Sequence, residues 1–349
     1  MDRELRSAAA SRDAAGFSLI EVIIAAMLLS VMILAVTSLA QSGGDAQDYA
    51  RRLNRVTEIT QEVVDRMRLE MVSSVRMFGN DTEGNGNRAK FDLTGAPTPL
   101  PGLRLPSITA NASLQPDTVG LQITGNSLFF AKLSWSDRFR CTSGQEYMVD
   151  VFRWSYYYLT PEGGGPTNGS AIGLNMVRVV SEPLVDGSAI DGIDDATDRA
   201  EVLMHLVGGT PDANGDSHDV CQVVWLRGSS PTATGTFRQI DDSDGSLSNT
   251  PIGTRPTPWS VLRADSAVSG ILSYRHQSVA TNYSLPAFGV GKYSVSSNSG
   301  SGFPHGFEVQ VVGPSSARQI LLHLVLASTN RNGQVAWSAM QVVVDARDL

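Results

Sequence analysis

From Phe17 to Ala40 the chain carries a single charged side chain, Glu21, and Ser18, Ser30, Thr37 and Ser38 are the only other polar residues in the run. About 24 residues at roughly 1.5 Å rise make a rod of about 36 Å, enough to cross a hydrocarbon layer about 30 Å thick with some tilt. No Pro or Gly interrupts the stretch, which predicts one continuous helix. An ordinary secretory signal has a shorter apolar core, about 7–15 residues, followed by a small-residue cleavage site. Here the small residue, Gly16, precedes the apolar run. The order is inverted.

Glu21 is the second constraint. A carboxylate inside a membrane helix costs on the order of 2.5–3.5 kcal/mol at the centre and less near the interface, so it calls for a positive partner. A cut between Gly16 and Phe17 would create an α-amine four residues from Glu21. In a stack of such helices, the amine of one subunit could neutralise the carboxylate of its neighbour. The competing reading is a bitopic membrane anchor that carries one acidic residue near its cytoplasmic edge.

The stretch Gly16-Phe17-Ser18-Leu19-Ile20-Glu21-Val22 closely resembles the class III signal of type IV prepilins and pseudopilins. In that family a peptidase cuts after the Gly and N-methylates the new Phe. The resemblance implies that Gly16 ends the leader and that Phe17 is the mature, methylated N-terminus. It assigns Glu21 to docking into a filament. In fold it implies an α+β protein, a long N-terminal transmembrane and amphipathic helix packed on a large antiparallel β-rich globular domain. The expected divisions are a leader over 1–16, the long helix over 17–78 (membrane or filament core 17–40, amphipathic 45–78) and the globular domain over 79–349.

Within the family, size and leader resemble the PilW-like minor pilins. That implies a tip or priming subunit of a type IV pilus, single-pass in the inner membrane with its domain in the periplasm, and later at the extracellular pilus tip. The implied partners are the prepilin peptidase, other minor pilins and the major pilin. Two alternatives stay open: a pseudopilin of a type II secretion system, and a tip adhesin that binds a surface ligand. Glu21 counts against the large tip pseudopilin, which characteristically lacks the acidic residue.

A net charge of −8 provides no basic field for releasing phosphate counterions, so a general nucleic-acid partner is not expected. Charged residues make up 18%, below the usual ~25%, and this suits a loop-rich exported β domain more than a cytosolic enzyme. Arg3, Arg6 and Arg12 precede the span, and Arg51, Arg52 and Arg55 follow it at a distance. The positive-inside rule therefore leans slightly toward a cytoplasmic N-terminus.

After the span come Gln41-Ser42-Gly43-Gly44 and a second helical pattern from Asp45 to about Phe78. Tyr49, Leu53, Val56, Thr60, Val63, Met67 and Met71 recur at spacings of three and four and define one stripe. That stripe predicts packing on the chain's own domain. Gly costs about 1 kcal/mol relative to Ala in a helix interior, so Gly43-Gly44 is expected to be a soft point or a plain break.

Beyond a turn-rich linker at Gly79–Asn87, strands are expected at Val119–Thr124, Ser127–Trp135, Tyr147–Thr160, Leu174–Ser181, Glu201–Val207, Cys221–Leu226, Phe307–Val312, Ile320–Ser328 and Val335–Val344. Gly125-Asn126 and Asn332-Gly333 are expected hairpin turns, and a helix is expected near Pro258–Gln277.

Cys141 and Cys221 predict one disulfide in an oxidising compartment, with two independent buried thiols as the alternative. Closing a loop of about 80 residues would contribute roughly 4–5 kcal/mol. Acidic clusters lie at Asp191–Asp198, Asp212–Asp219 and Asp241–Gly245. Asp212, Asn214 and Asp216 alternate as the first ligands of a calcium loop do. Ser217 and Val223 then stand where such a loop needs Gly and Glu, and ordinary Asx turns explain the same residues. No other metal or cofactor is expected. His205, His218, His276, His305 and His323 show no ligand spacing, and no catalytic motif stands in context, so no enzyme is expected. Trp154, Tyr156, Tyr157 and Tyr158 predict a strand whose alternate members face the core, with a sticky aromatic surface as the rival.

Overall fold

One helix, α1 (Leu19–Val72), runs through both predicted helical patterns without a break at Gly43-Gly44. The computed structural model describes residues 18–90, 93, 96–114, 124–160, 174–181, 185–186, 192–208, 211–215, 225–226, 237–240, 247–248, 254–257, 277–280, 306–329 and 335–346. The chain forms two compact units, Met1–Arg51 and Arg52–Leu349.

In the first unit every described residue from Ser18 to Gln47 is exposed. Leu28, Leu29, Val31, Met32, Ile33 and Leu34 all show more than half of their surface, with Leu34 at 71%. By length and composition this helix is able to cross a membrane.

In the second unit, α1 is followed by β1 (Ser74–Phe78), α2 (Thr82–Ala89), β2 (Leu128–Arg140), β3 (Glu146–Thr160), β4 (Asn175–Ser181), β5 (Val185–Asp186) and α3 (Ala196–Gly208). Then come β6 (Trp225–Leu226), β7 (Phe237–Ile240), β8 (Leu247–Ser248), β9 (Thr254–Thr257), β10 (Gln277–Val279), β11 (Phe307–Val312), β12 (Arg318–Thr329) and β13 (Val335–Ala346). The architecture is α+β, and every strand pair among the described residues is antiparallel. The main sheet runs β1-β2-β3-β4-β9, with β6 also on β3. In a second sheet, β12 is flanked by β13 on one side and by β11 and β10 on the other. A small third sheet joins β5, β7 and β8.

Period-two alternation places side chains on both faces of the main sheet. One face sends Phe129, Phe152, Trp154, Tyr156, Tyr158 and Val179 into a core that includes Val202 and Leu206 of α3. The other sends Leu128, Phe130, Tyr157 and Met176 into a core shared with α1 and the second sheet. There Val56, Ile59, Val63, Val64, Met67 and Met71 of α1 meet Phe307, Val309, Leu322 and Leu324. Each such side chain, once buried, contributes about 1.5–3 kcal/mol, so the stripe alone accounts for the packing of this half of α1. Gly125 joins the sheets by a reciprocal pair of backbone bonds with Val309, both 2.8 Å. A Cβ there would lie 2.3 Å from Pro106 N, so only Gly allows the approach.

Several expectations change. Helix was expected to about Phe78, but Ser74–Phe78 is a strand in register with β2, from Ser74↔Lys132 to Phe78↔Phe129. The alternation of Val75 and Phe78 against Met77 fills both cores, a gain that a continued helix could not reach. Glu201–Val207 is helical, not a strand. Asp195 Oδ1 accepts from Thr197 N at 2.7 Å and Asp198 N at 3.1 Å, capping α3, and Val202 and Leu206 then share one buried face. Of the expected hairpin through Gly125-Asn126, the described residues pair otherwise: β2 has β1 and β3 as its neighbours, and Gly125 pairs with Val309. Residues 119–123 lie outside the described residues, as does 258–276, where a helix was expected. The strands expected near 147–160, 174–181, 307–312, 320–328 and 335–344 are present, and the last two pair from Arg318↔Ala346 to Thr329↔Val335.

Candidate functional site

The N-terminal segment carries the first candidate residues. Gly16 and Phe17 lie outside the described residues, whereas Glu21 sits exposed in the first turn of α1. Ser18 precedes the helix, and its carbonyl accepts from Glu21 N at 2.9 Å and from Val22 N at 3.2 Å. Glu21 Oε2 accepts from Ser18 N at 2.9 Å, and Ser18 Oγ accepts from Ile20 N at 3.4 Å. Ser18-x-x-Glu21 is therefore a capping box that satisfies donors left open at a helix start. The spacing was visible in the sequence, but Glu21 was considered there only as a charge in need of a cation.

At the other end of α1, Glu70 lies off the apolar stripe, where helical spacing alone would leave it among the solvated charges. It is instead drawn into the main sheet. Its carboxylate accepts from Lys132 Nζ of β2 at 3.0 Å, from Tyr157 Oη of β3 at 2.5 Å and from Arg178 of β4, with Nε at 3.1 Å. Side-chain exposures of 12% for Glu70, 18% for Lys132 and 10% for Arg178 make this an internal network. Burial by itself would raise the Glu70 carboxyl. Hydrogen bonds from Arg178 and Tyr157, with the charges of Lys132 and Arg178, outweigh it and hold the group below its ordinary value. Cations are also favoured at a helix C-terminus, and the last turn of α1 supplies none of its own.

The tyrosine run alternates as expected. Tyr156 and Tyr158 stack at 5.0 Å in one core, while Tyr157 faces the other and reaches Glu70. Trp154 and the three tyrosines are buried, which leaves no sticky aromatic surface there.

Cys141 is a buried free thiol, 3.8 Å from the Asp198 carbonyl oxygen. Burial, with the Asp198 and Glu201 carboxylates, pushes it up to about 12. Its expected partner, Cys221, lies outside the described residues. In the middle acidic cluster, Asp212 Oδ1 accepts from Asn214 N at 2.9 Å and Oδ2 accepts from Asn214 Nδ2 at 3.2 Å and Arg140 N at 3.1 Å. Asp212 and Asn214 thus form an Asx turn tied to the end of β2; Asp216 lies outside the described residues. Among the described residues no group of three His, Cys, Asp or Glu side chains is placed to hold a metal.

His205 lies on α3 with its ring 4.5 Å from that of Phe139. His323 is buried on β12 directly opposite Glu308, with Nδ1 and Oε2 4.0 Å apart, and burial lowers it to about 4. His218, His276 and His305 lie outside the described residues.

Residues 11–37 match the prokaryotic N-terminal methylation motif, the leader of type IV prepilins and pseudopilins. No curated protein and no solved structure matches the chain.

Proposed function

We propose that this chain, which carries the type IV prepilin and pseudopilin leader, is a minor pilin that primes filament assembly from the inner membrane. One observation carries the reading: the methylation motif opens directly into a helical stretch, residues 19–40, that is apolar and exposed on every side, with Glu21 as its only charge. Such a surface needs lipid or other apolar helices around it. A prepilin peptidase cuts after Gly16 and methylates Phe17, and the domain lies in the periplasm until assembly carries it to the pilus tip.

The capping box gives Glu21 two successive roles. In the single subunit its carboxylate is held by Ser18 N. In a filament core that one neutral donor is too weak to offset burial of a carboxylate, and the amine of Phe17 on a neighbouring subunit supplies the missing positive charge. Docking then replaces a neutral donor by a charged one, roughly doubling the strength of the bond. Gly43-Gly44, with no atom within 4 Å of either would-be Cβ, is where α1 yields as it enters the filament.

The test is Glu21→Ala, followed by membrane fractionation and co-purification with other pilins from sheared filaments. Insertion should persist while incorporation falls, and N-terminal mass spectrometry of the wild type should find methyl-Phe17. An intact leader in cells with an active prepilin peptidase, or normal incorporation of Glu21→Ala, would overturn the proposal. Co-purification with secretion-system pseudopilins instead would reassign the assembly to type II secretion.

A further inference from the structure

The main sheet holds a cavity of about 420 Å³ beside the end of α1, lined by Lys132, Arg153, Arg178, Ser73 and Ser134 with Leu133 and Val180 as its apolar wall. Three cations thus share one concavity. Glu70 answers two of them, Lys132 and Arg178, with a single negative charge.

Arg153 is the remainder. It stands directly opposite Lys132 across β2 and β3. Like charges at that position in a sheet destabilise it unless something of opposite sign lies between them. Nε of Arg153 is buried and has no hydrogen-bond partner among the described residues. A buried donor of this kind is costly when unanswered. The strain reaches Lys132 as well. Burial lowers its ammonium, Glu70 pulls it back up, and the charges of Arg178 and Arg153 lower it again.

We propose that this cavity is a binding site for a dianionic oxyanion of the phosphate-monoester class. The charge left after Glu70 is two positive units among the described residues, which matches a dianion. Arg153 presents a guanidinium fork suited to two oxygens at once, and Lys132 adds a point charge. The hydroxyl of Ser134 stands at the lining as a further donor, while that of Ser73 already donates to the Glu70 carbonyl at 2.8 Å. The volume falls in the range of small-molecule sites, about 300–1,000 Å³, so the phosphate can carry a small organic group against Leu133 and Val180. The anion bridges Lys132 and Arg153 and removes their repulsion.

The full chain in non-ionic detergent should be titrated calorimetrically with inorganic phosphate and with glycerol 3-phosphate, against acetate at equal ionic strength. Both phosphates should bind saturably at one site per chain, with acetate at least tenfold weaker. Tighter binding of glycerol 3-phosphate marks an organic phosphate as the ligand, and equal binding marks the free anion. Arg153→Gln should weaken binding at least tenfold. Ser134→Asp places a carboxylate at the exposed rim and should abolish binding without lowering the melting temperature. Arg138→Gln, at an exposed pair with Glu146 elsewhere on the sheet, should bind as the wild type does. Failure of both phosphates to bind overturns the proposal, as does binding that matches acetate. So does binding unchanged by Ser134→Asp, a result that stands even where Arg153→Gln does not fold.

Discussion

Residues 19–40 and 52–72 belong to one helix but present different surfaces. In the first stretch, apolar side chains cover the whole circumference and stay exposed within the chain. In the second, one stripe from Val56 to Met71 is buried against two sheets while Arg55, Glu58, Glu62 and Asp65 stay outside. The backbone geometry is the same. What differs is how the hydrophobic surface is distributed around the axis, and that alone decides whether a helix needs lipid and partner helices or its own domain. The charges follow the same division. Among the described residues Glu21 is held by its own turn, whereas Glu70 is held by three strands.

The sharpest way to break this contrast is at Glu70. Glu70→Gln leaves Lys132 and Arg178 buried without their counter-charge, and loss of one partner of such a network costs about 3–5 kcal/mol. Chemical denaturation of the second unit should register that loss, while membrane association of the first stretch should not change. A shift under about 1 kcal/mol, the size of a surface pair, would return Glu70 to the class of surface charges.

Leu29→Arg makes the reciprocal test. A cation near the centre of the apolar run costs about 2.5–3.5 kcal/mol on insertion, on the order of a hundredfold in partition. Fractionation should show the protein leaving the membrane, and the unfolding midpoint of the second unit should stay where it was. Were that midpoint to fall instead, the two stretches would not be separable.

Acid should also divide them. His323 is held neutral by burial, at about 4 against an ordinary 6.5. Between those values the unfolded chain binds a proton that the folded chain refuses, so stability is full above about 6.5 and drops as pH falls toward 4. The drop amounts to about 3 kcal/mol. Glu70, held below its ordinary value, adds a loss only further down, as pH falls through the carboxylate range. Denaturation midpoints from pH 7 to 5 should therefore slope in the wild type and flatten in His323→Gln. An unchanged slope would remove His323 as the cause.

The smallest effect belongs to Gly43 and Gly44. Replacing both by Ala should firm the helix by about 1 kcal/mol per site, seen as slower amide exchange around residues 41–46. The melting of the second unit should not move. Equal exchange in both proteins would mean that this part of α1 is already held by other forces.

The amino-acid order by itself determined whatever depends on neighbours along the chain. The inverted leader and apolar run, the stripe from Val56 to Met71 and the two-faced Trp154–Tyr158 strand were all legible, because helical and pleated periodicities are local. The Ser18–Glu21 capping box and the Asp195 cap of α3 are equally local signals, masked by the charge of Glu21 and by the strand-like composition of Glu201–Val207. Only the tertiary structure decided that Ser74–Phe78 leaves the helix, since its gain comes from pairing with β2, more than fifty residues further on. The same holds for Glu70, whose partners lie 62, 87 and 108 residues away. It holds too for the cavity that gathers Lys132, Arg153 and Arg178 from three strands. An isolated charge on a helix reads as solvated until the fold removes the water around it. Whether a carboxylate is a surface ornament or the centre of a network is set by that desolvation, and no local pattern encodes it.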